Sequence, residues 1–199
     1  MGRLMPRVPE LPPNAPRGGS AVGRMFGRAV LALGGWRMRG EWADLPKMVI
    51  IAAPHSSGWD AVWGLAAKIA MGVRVEFMAK HELFWWPLGA LLRLLGGVPT
   101  DRSAPRGVVG GIVQRFADQP KLWLAIAPEG TRRRVEKWRS GFWHIAAGAG
   151  VPVTCVYFHY PERVIGIGPA FELSGDLPTD MARIREFYLP WQGKHRGTA

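Results

Sequence analysis

Two uninterrupted apolar runs, Val49-Ile50-Ile51-Ala52-Ala53 and Leu122-Trp123-Leu124-Ala125-Ile126-Ala127, each stop at a proline and open into a polar, glycine-bearing turn. Runs this short, without polar alternation, read as strands buried on both faces, and such strands belong to parallel sheets covered by helices. Strand patterns near 48–53, 74–79, 97–101, 121–127, 152–158 and 163–167 alternate with helical patterns near 58–70, 84–95, 105–118, 140–149 and 179–188. Trp36 to Trp42 alternates with period two and predicts an edge strand. The fold class expected is therefore α/β, a mixed, mostly parallel sheet flanked by helices. At 199 residues and without an internal break in composition, the chain reads as one domain.

In an open sheet of this kind ligands bind beyond the carboxyl ends of the strands. Both apolar runs deliver candidate chemistry there: Pro54-His55-Ser56-Ser57-Gly58-Trp59-Asp60 after the first and Pro128-Glu129-Gly130-Thr131-Arg132 after the second. Helical positions five apart are separated by about 140° around the axis, so His55 and Asp60 cannot meet if both are helical. They meet if His55 lies in the turn and the helix starts near Ser57. A competing reading is a capping box, in which Ser57 is the N-cap and Asp60 only satisfies a backbone N–H at the helix start.

Further along come Gly96-Gly97-Val98-Pro99-Thr100-Asp101-Arg102, Trp138-Arg139-Ser140-Gly141 and Gly150-Val151-Pro152-Val153. With these blocks in this order the chain resembles the glycerolipid acyltransferases of the 1-acylglycerol-3-phosphate acyltransferase family, over about residues 36 to 189. That family carries His-x-x-x-x-Asp, a Gly-to-Arg block, Pro-Glu-Gly-Thr-Arg and an apolar-Pro-apolar block. The chain departs from the pattern at Pro99 and Thr100, where an aromatic and an aliphatic residue are usual, and at Cys155, where a second proline is common. Neither departure touches His55, Asp60, Glu129 or Arg132, so they bear on acceptor identity rather than reaction type.

The resemblance implies transfer of a fatty acyl group from an acyl thioester, acyl-coenzyme A or acyl carrier protein, to a hydroxyl of a lysophospholipid or glycerol-phosphate acceptor in phospholipid biosynthesis. It implies His55 as general base, Asp60 orienting its ring, and Glu129 bracing the site. Arg102 and Arg132, with Gly130 and Thr131 and then Arg139 and Lys80, become the candidates for holding the acceptor's phosphate. Backbone N–H groups near Gly130 are candidate oxyanion donors. No Gly-x-Ser-x-Gly elbow occurs, in keeping with an acceptor that supplies its own nucleophile. No metal or organic cofactor is expected, since His81, His144, His159 and His195 show no ligand spacing.

The formal net charge of +11 points to anionic partners. Nucleic acid is disfavoured, because no nucleic-acid motif is present and the aromatics sit in apolar runs rather than among the basic residues. An anionic membrane surface fits better. Residues 1–20 have the proline-, glycine- and arginine-rich composition of a disordered arm. Residues 21–35 predict an amphipathic helix with Val22, Met25, Phe26, Ala29, Val30 and Leu33 on one face and Arg24 and Arg28 opposite, which either covers the sheet or lies on lipid. Trp85 and Trp86 either fill core or meet a bilayer. The acyltransferase-like domain is expected over 36–190 and a flexible tail over 191–199.

The single Cys155 excludes an intramolecular disulfide and reads as a core residue. Leu83 to Leu92 is broken by Pro87 and far shorter than the ~20 residues a spanning helix needs. The expected location is thus peripheral, at the cytoplasmic face of a membrane, with no transmembrane helix. A hydrolase or transacylase on the same scaffold, and a non-catalytic lipid-surface protein, remain as alternative readings.

Overall fold

The computed structural model describes residues 7–101, 105–131, 135, 137–195 and 197. Among them the chain forms α1 (Ala21–Gly34), β1 (Arg37–Arg39), β2 (Lys47–Ala53), α2 (Trp59–Met71), β3 (Val75–Lys80), α3 (Leu88–Leu94) and β4 (Gly97–Thr100), followed by α4 (Pro105–Asp118), β5 (Leu122–Ile126), α5 (Gly141–Ala149), β6 (Val153–His159), β7 (Val164–Phe171) and α6 (Leu177–Tyr188). The strands make one sheet in the order β1-β7-β6-β2-β5-β3-β4. Every adjacent pair is parallel except β6 with β7, which are joined by a short connection and run antiparallel. The α/β, mostly parallel architecture expected from the apolar runs is the one observed.

Right-handed crossovers then dictate which helix covers which face. From β2 to β3 and on to β4 the chain steps one way across the sheet, so α2 and α3 share a face. From β4 to β5 and from β5 to β6 it steps back, so α4 and α5 share the other. Alternate residues of β2 follow this division: Val49, Ile51 and Ala53 pack with Phe116, Phe142, Ile145 and Tyr188, whereas Met48 and Ile50 pack with Leu31, Ala66 and Ala70. Cys155 belongs to the first layer, where burial pushes its thiol up to about 12. Tyr188, fully buried, points its hydroxyl at the Ile51 and Val156 carbonyls, 2.8 and 3.0 Å away, and ties α6 to the two central strands.

Several boundaries differ from expectation for local reasons. The edge strand expected over Trp36–Trp42 holds only Arg37–Arg39, because Gly40 turns away with φ 91° and passes so close to β7 that a Cβ there would sit 2.1 Å from the Ile167 carbonyl oxygen. The helix expected from residue 84 begins at Leu88, since a residue preceding proline is disfavoured in helical conformation and Pro87 lacks an N–H. The arm expected to be disordered is ordered over residues 7–20: Ala15 is buried, Arg17 bridges to Val73, and Asn14 donates to Asp44 through backbone and side chain. Residues 191–195 of the tail expected to be flexible are also tied down, with Tyr160 N–H donating to the Gln192 carbonyl at 2.9 Å and Trp191 stacked on Tyr157 at 3.6 Å.

The structure decides between the two readings of α1. Ser20 caps its N-terminus and Gly35 its C-terminus in the left-handed conformation, as expected of an isolated amphipathic pattern. Its buried residues, however, are Gly27 and Leu31, which lie opposite the large apolar face. Val22, Met25, Phe26 and Leu33 are exposed, and Leu33 is 84% accessible. Close helix crossing selects small residues: a Cβ on Gly27 would lie 2.5 Å from the Ala70 backbone nitrogen and 2.8 Å from the Ala66 carbonyl oxygen. Trp85 and Trp86 likewise face outward at 59% and 85% exposure, so neither fills core.

Replacing Gly27 by alanine forces α1 away from α2 and is expected to cost about 1–3 kcal/mol, the range for overpacking a tight contact. Gly110→Ala, on α4 where an added Cβ meets nothing within 4 Å, is expected to stabilise by about 0.5–1 kcal/mol through helix propensity. Denaturant midpoints of the two variants check both signs.

Candidate functional site

β2 and β5 are neighbours, and their register sets Ile51 level with Ile126. On the other side of β2, Ala53 lies level with Tyr157 of β6. The turns after these three strands therefore leave the sheet side by side at one edge, where they gather His55, Glu129 and Tyr160.

His55 sits in the turn and α2 starts at Trp59, so the histidine and Asp60 meet: Nδ1 is 3.3 Å from Oδ2. Asp60 also does what a capping residue would do. Its Oδ2 accepts from the backbone N–H of Ser56 and of Ser57, each at 2.8 Å, while Ser57 Oγ accepts from Trp59 N–H at 3.2 Å. The capping and histidine-pairing readings are thus two halves of one arrangement. On the far side Asp60 Oδ1 accepts from the Tyr160 hydroxyl at 2.5 Å. Burial opposes the charge of Asp60, but hydrogen bonds from His55, Tyr160 and the Ser57 backbone outweigh it and hold the carboxyl below its usual range. An ionised carboxylate only accepts, so His55 Nδ1 carries the proton and Nε2, on the opposite side of the ring, is the nitrogen suited to take one. About a quarter of the histidine side chain, 26%, is accessible to solvent, against none of Asp60.

Glu129 is buried at 2% exposure, and its Oε1 accepts from the His55 backbone N–H at 3.1 Å. It ties the His55 turn to the segment that follows β5. Gly130 follows in the left-handed region at φ 66°, and a Cβ there would lie 2.8 Å from Arg139 Cδ and Nε, so the arginine side chain passes directly over the glycine. Arg139 N–H donates to the Pro128 carbonyl at 2.9 Å, which fastens the start of α5 to this turn. The Gly130 N–H, expected as an oxyanion donor, instead closes the turn onto the Ala127 carbonyl at 3.1 Å. Thr131 is exposed beside it.

Lys80 ends β3 on the same sheet edge but is separated from β2 by β5, roughly 10 Å across two strand spacings. It does not join the His55–Asp60 contact. Arg102 and Arg132 lie outside the described residues. The structure adds three groups that the motifs did not single out: Tyr160, Ser56, whose Oγ accepts from His195 N–H at 3.3 Å, and Lys194, whose ammonium stands 5.7 Å from the Trp59 ring centroid. A strand ending in His159-Tyr160 beside β2 is the only sequence signal for the tyrosine, and it requires knowing that β6 pairs with β2. Among the described residues no group of three or more His, Cys, Asp and Glu side chains is arranged to hold a metal ion.

The arrangement is a buried carboxylate, an imidazole paired with it through Nδ1 and about a quarter exposed, and cationic side chains nearby. It is suited to removing a proton from a hydroxyl or water. A family model described as Acyltransferase matches residues 41–159. No curated protein matches. Among solved structures the fold is similar to that of the 1-acyl-sn-glycerophosphate (LPA) acyltransferase PlsC from Thermotoga maritima, with a TM-score of 0.53 and 20% identity over 85% of this chain and 80% of that one.

The lowered pKa of Asp60 makes the stability of the fold depend on pH. A carboxyl whose folded-state pKa lies below its unfolded value stabilises the fold above the unfolded value of ~4, and that contribution disappears as pH falls through the folded-state value. Acid unfolding of the wild type is expected to steepen in that window below pH ~4, and Asp60→Asn, less stable at neutral pH, is expected to lose less over the same range. Parallel acid slopes, followed by tryptophan fluorescence, would contradict this account of Asp60.

Proposed function

This chain belongs to the acyltransferase family, and from that premise we propose that it moves a fatty acyl group from an acyl thioester to a hydroxyl of a lysophospholipid or glycerol-phosphate acceptor, as a step of phospholipid biosynthesis. The observation that carries the reading is the His55–Asp60 pair, in which a buried carboxylate stands 3.3 Å from Nδ1 of a partly exposed imidazole. An acceptor hydroxyl placed at Nε2 gives up its proton as its oxygen attacks the thioester carbonyl. The tetrahedral intermediate collapses with cleavage of the C–S bond, and the imidazolium returns the proton to the departing thiolate. Asp60 fixes the tautomer and stabilises the imidazolium without itself accepting the proton. The products are an ester and a free thiol, so the enzyme needs no nucleophile of its own.

The acceptor's phosphate is assigned to Arg132 and Arg102 by the family resemblance. Arg139, passing over Gly130 beside Glu129, supports a cationic wall on that side of the site. Planar guanidinium groups suit phosphate because they bind it bidentately. The donor is either acyl-coenzyme A or acyl carrier protein, both anionic and both compatible with a net charge of +11.

The protein is proposed to work on an anionic membrane surface to which it binds peripherally. No helix among the described residues is long and apolar enough to cross a membrane. The exposed apolar side chains of α1 and those around α3, Trp85, Trp86, Leu91 and Leu94, belong to elements on one face of the sheet. Lys68 of α2 donates to the Leu95 carbonyl, which links the middle of that face. Apolar insertion adds to basic attraction worth about 1 kcal/mol per Lys or Arg near an anionic leaflet.

His55→Ala is expected to abolish acyl transfer with the fold intact, and Asp60→Asn to lower turnover by several orders of magnitude per folded molecule. Arg132→Ala is expected to raise the apparent KM for a phosphorylated acceptor and leave an unphosphorylated one nearly unaffected. Transfer by His55→Ala at the wild-type rate would sink the mechanism, and free fatty acid release without acceptor would favour the hydrolase reading. For the membrane, Phe26→Asp with Leu33→Asp is expected to reduce co-sedimentation with phosphatidylglycerol vesicles at least tenfold while sparing turnover on a soluble short-chain substrate. Binding unchanged by these substitutions, and equal on neutral vesicles, overturns the docking assignment.

A further inference from the structure

Tyr160 lies outside every motif yet is held more firmly than its place in a connecting turn requires. Its ring packs edge-on against Trp36, with centroids 4.9 Å apart at 90°. Its backbone N–H donates to the Gln192 carbonyl at 2.9 Å, and Gln192 N–H in turn donates to His159 Nδ1 at 3.2 Å. The C-terminal segment that supplies Gln192 also reaches the catalytic turn, where His195 N–H meets Ser56 Oγ. These contacts bring the phenol oxygen to Asp60 Oδ1, at 2.5 Å, with the Ser57 and Trp63 side chains also beside it.

We propose that Tyr160 is a positioning residue of the acyl-transfer site, whose hydroxyl occupies Asp60 Oδ1 so that Oδ2 stays directed at His55 Nδ1 and the ring presents Nε2 to the acceptor. Asp60 Oδ2 serves two backbone N–H groups as well as the histidine, so its position is shared between the turn and the ring. A carboxylate pinned at one oxygen only can rotate about Cβ–Cγ; one pinned at both cannot. The hydroxyl remains protonated and able to donate, since burial and the neighbouring Asp60 carboxylate push the phenol well above its ordinary value. The positive end of its O–H dipole also tempers the charge that the carboxylate presents to the ring.

The inference rests on His55 being the general base. The groups facing the pair are Glu129 at the His55 backbone, Tyr160 at Asp60, the Ser57 and Trp63 side chains at the phenol oxygen, and Lys194 and His195 on the C-terminal segment. Of these, only Tyr160 contacts Asp60 Oδ1 through a side chain that can be altered without touching the catalytic turn.

Tyr160→Phe removes the hydroxyl and keeps the ring against Trp36. It is expected to lower kcat by roughly tenfold to a hundredfold with acceptor KM within about twofold, and to move the acid limb of kcat/KM up by about half to one pH unit, because the untempered carboxylate favours the imidazolium. In an Asp60→Asn background the same change is expected to add nothing, since it acts through that carboxylate. A folded Tyr160→Phe with wild-type kcat and pH profile, or a full additional loss in Asp60→Asn, overturns the proposal. If Tyr160→Phe does not fold, 3-fluorotyrosine at position 160 keeps the shape and strengthens the donor, and the acid limb must then move down; an unmoved limb overturns the proposal equally. An active His55→Ala would instead refute the general-base reading, so the two failures are separable.

Discussion

The carboxylate of Asp60 lies wholly out of solvent at the first turn of α2, and donors from two separate pieces of chain converge on it: the turn after β2, through its backbone and its imidazole, and the phenol after β6. A buried charge with no partners costs several kcal/mol, whereas each charge-assisted hydrogen bond contributes about 1.5–3 kcal/mol, so the group is tolerable only when all donors arrive together. The path of the chain through the β2–α2 turn, the parallel pairing of β6 with β2, and the orientation of His55 are therefore coupled. Loss of any one leaves the others holding an unsatisfied charge.

Glu129 plays a comparable part on the other flank. Buried beside β2, it accepts the His55 backbone N–H and so fixes the turn from the β5 side. The imidazole thus stands on a backbone held by one carboxylate while its ring is held by another. Both acidic residues are buried, whereas the basic Arg139 beside Gly130 is exposed. The His55–Asp60 pair is held by hydrogen bonds from both of its flanks.

The two faces of the sheet are finished differently. Where α4, α5 and α6 cover it, large side chains such as Phe116, Phe142 and Tyr188 fill a continuous core. On the other face α1 approaches α2 through Gly27, Ala66 and Ala70, a contact of small residues that leaves the large apolar side chains of α1 turned outward. A monomer in water gains nothing from exposing Phe26 and Leu33, and contiguous exposed apolar surface of this kind marks an interaction site. The membrane reading gives that surface an occupant and places it on the face where Trp59 and Val62, next to the catalytic turn, are also exposed.

Much of this was legible in the sequence because short buried strands and their following turns are local patterns. The apolar runs at 49–53 and 122–127 located β2 and β5, and the turns after them carried His55, Asp60 and Glu129 within a few residues of a strand end. Periodicity located α1 but left its orientation open, since it registers where large apolar residues fall and is blind to the preference of a close helix crossing for glycine and alanine. Composition failed on residues 7–20 and 191–195, whose order comes from hydrogen bonds to distant partners, such as Asn14 with Asp44 and His195 with Ser56. Tyr160 stands 100 residues from Asp60, and no local pattern links them. The sequence by itself determined the strands, the turns and the chemical types placed in them, because these follow from side-chain hydropathy and backbone preference over a few residues. Only the tertiary structure decided which turns meet, which side of α1 faces water and which hydroxyl completes the coordination of Asp60, because those depend on strand order and register, set by the packing of the whole sheet.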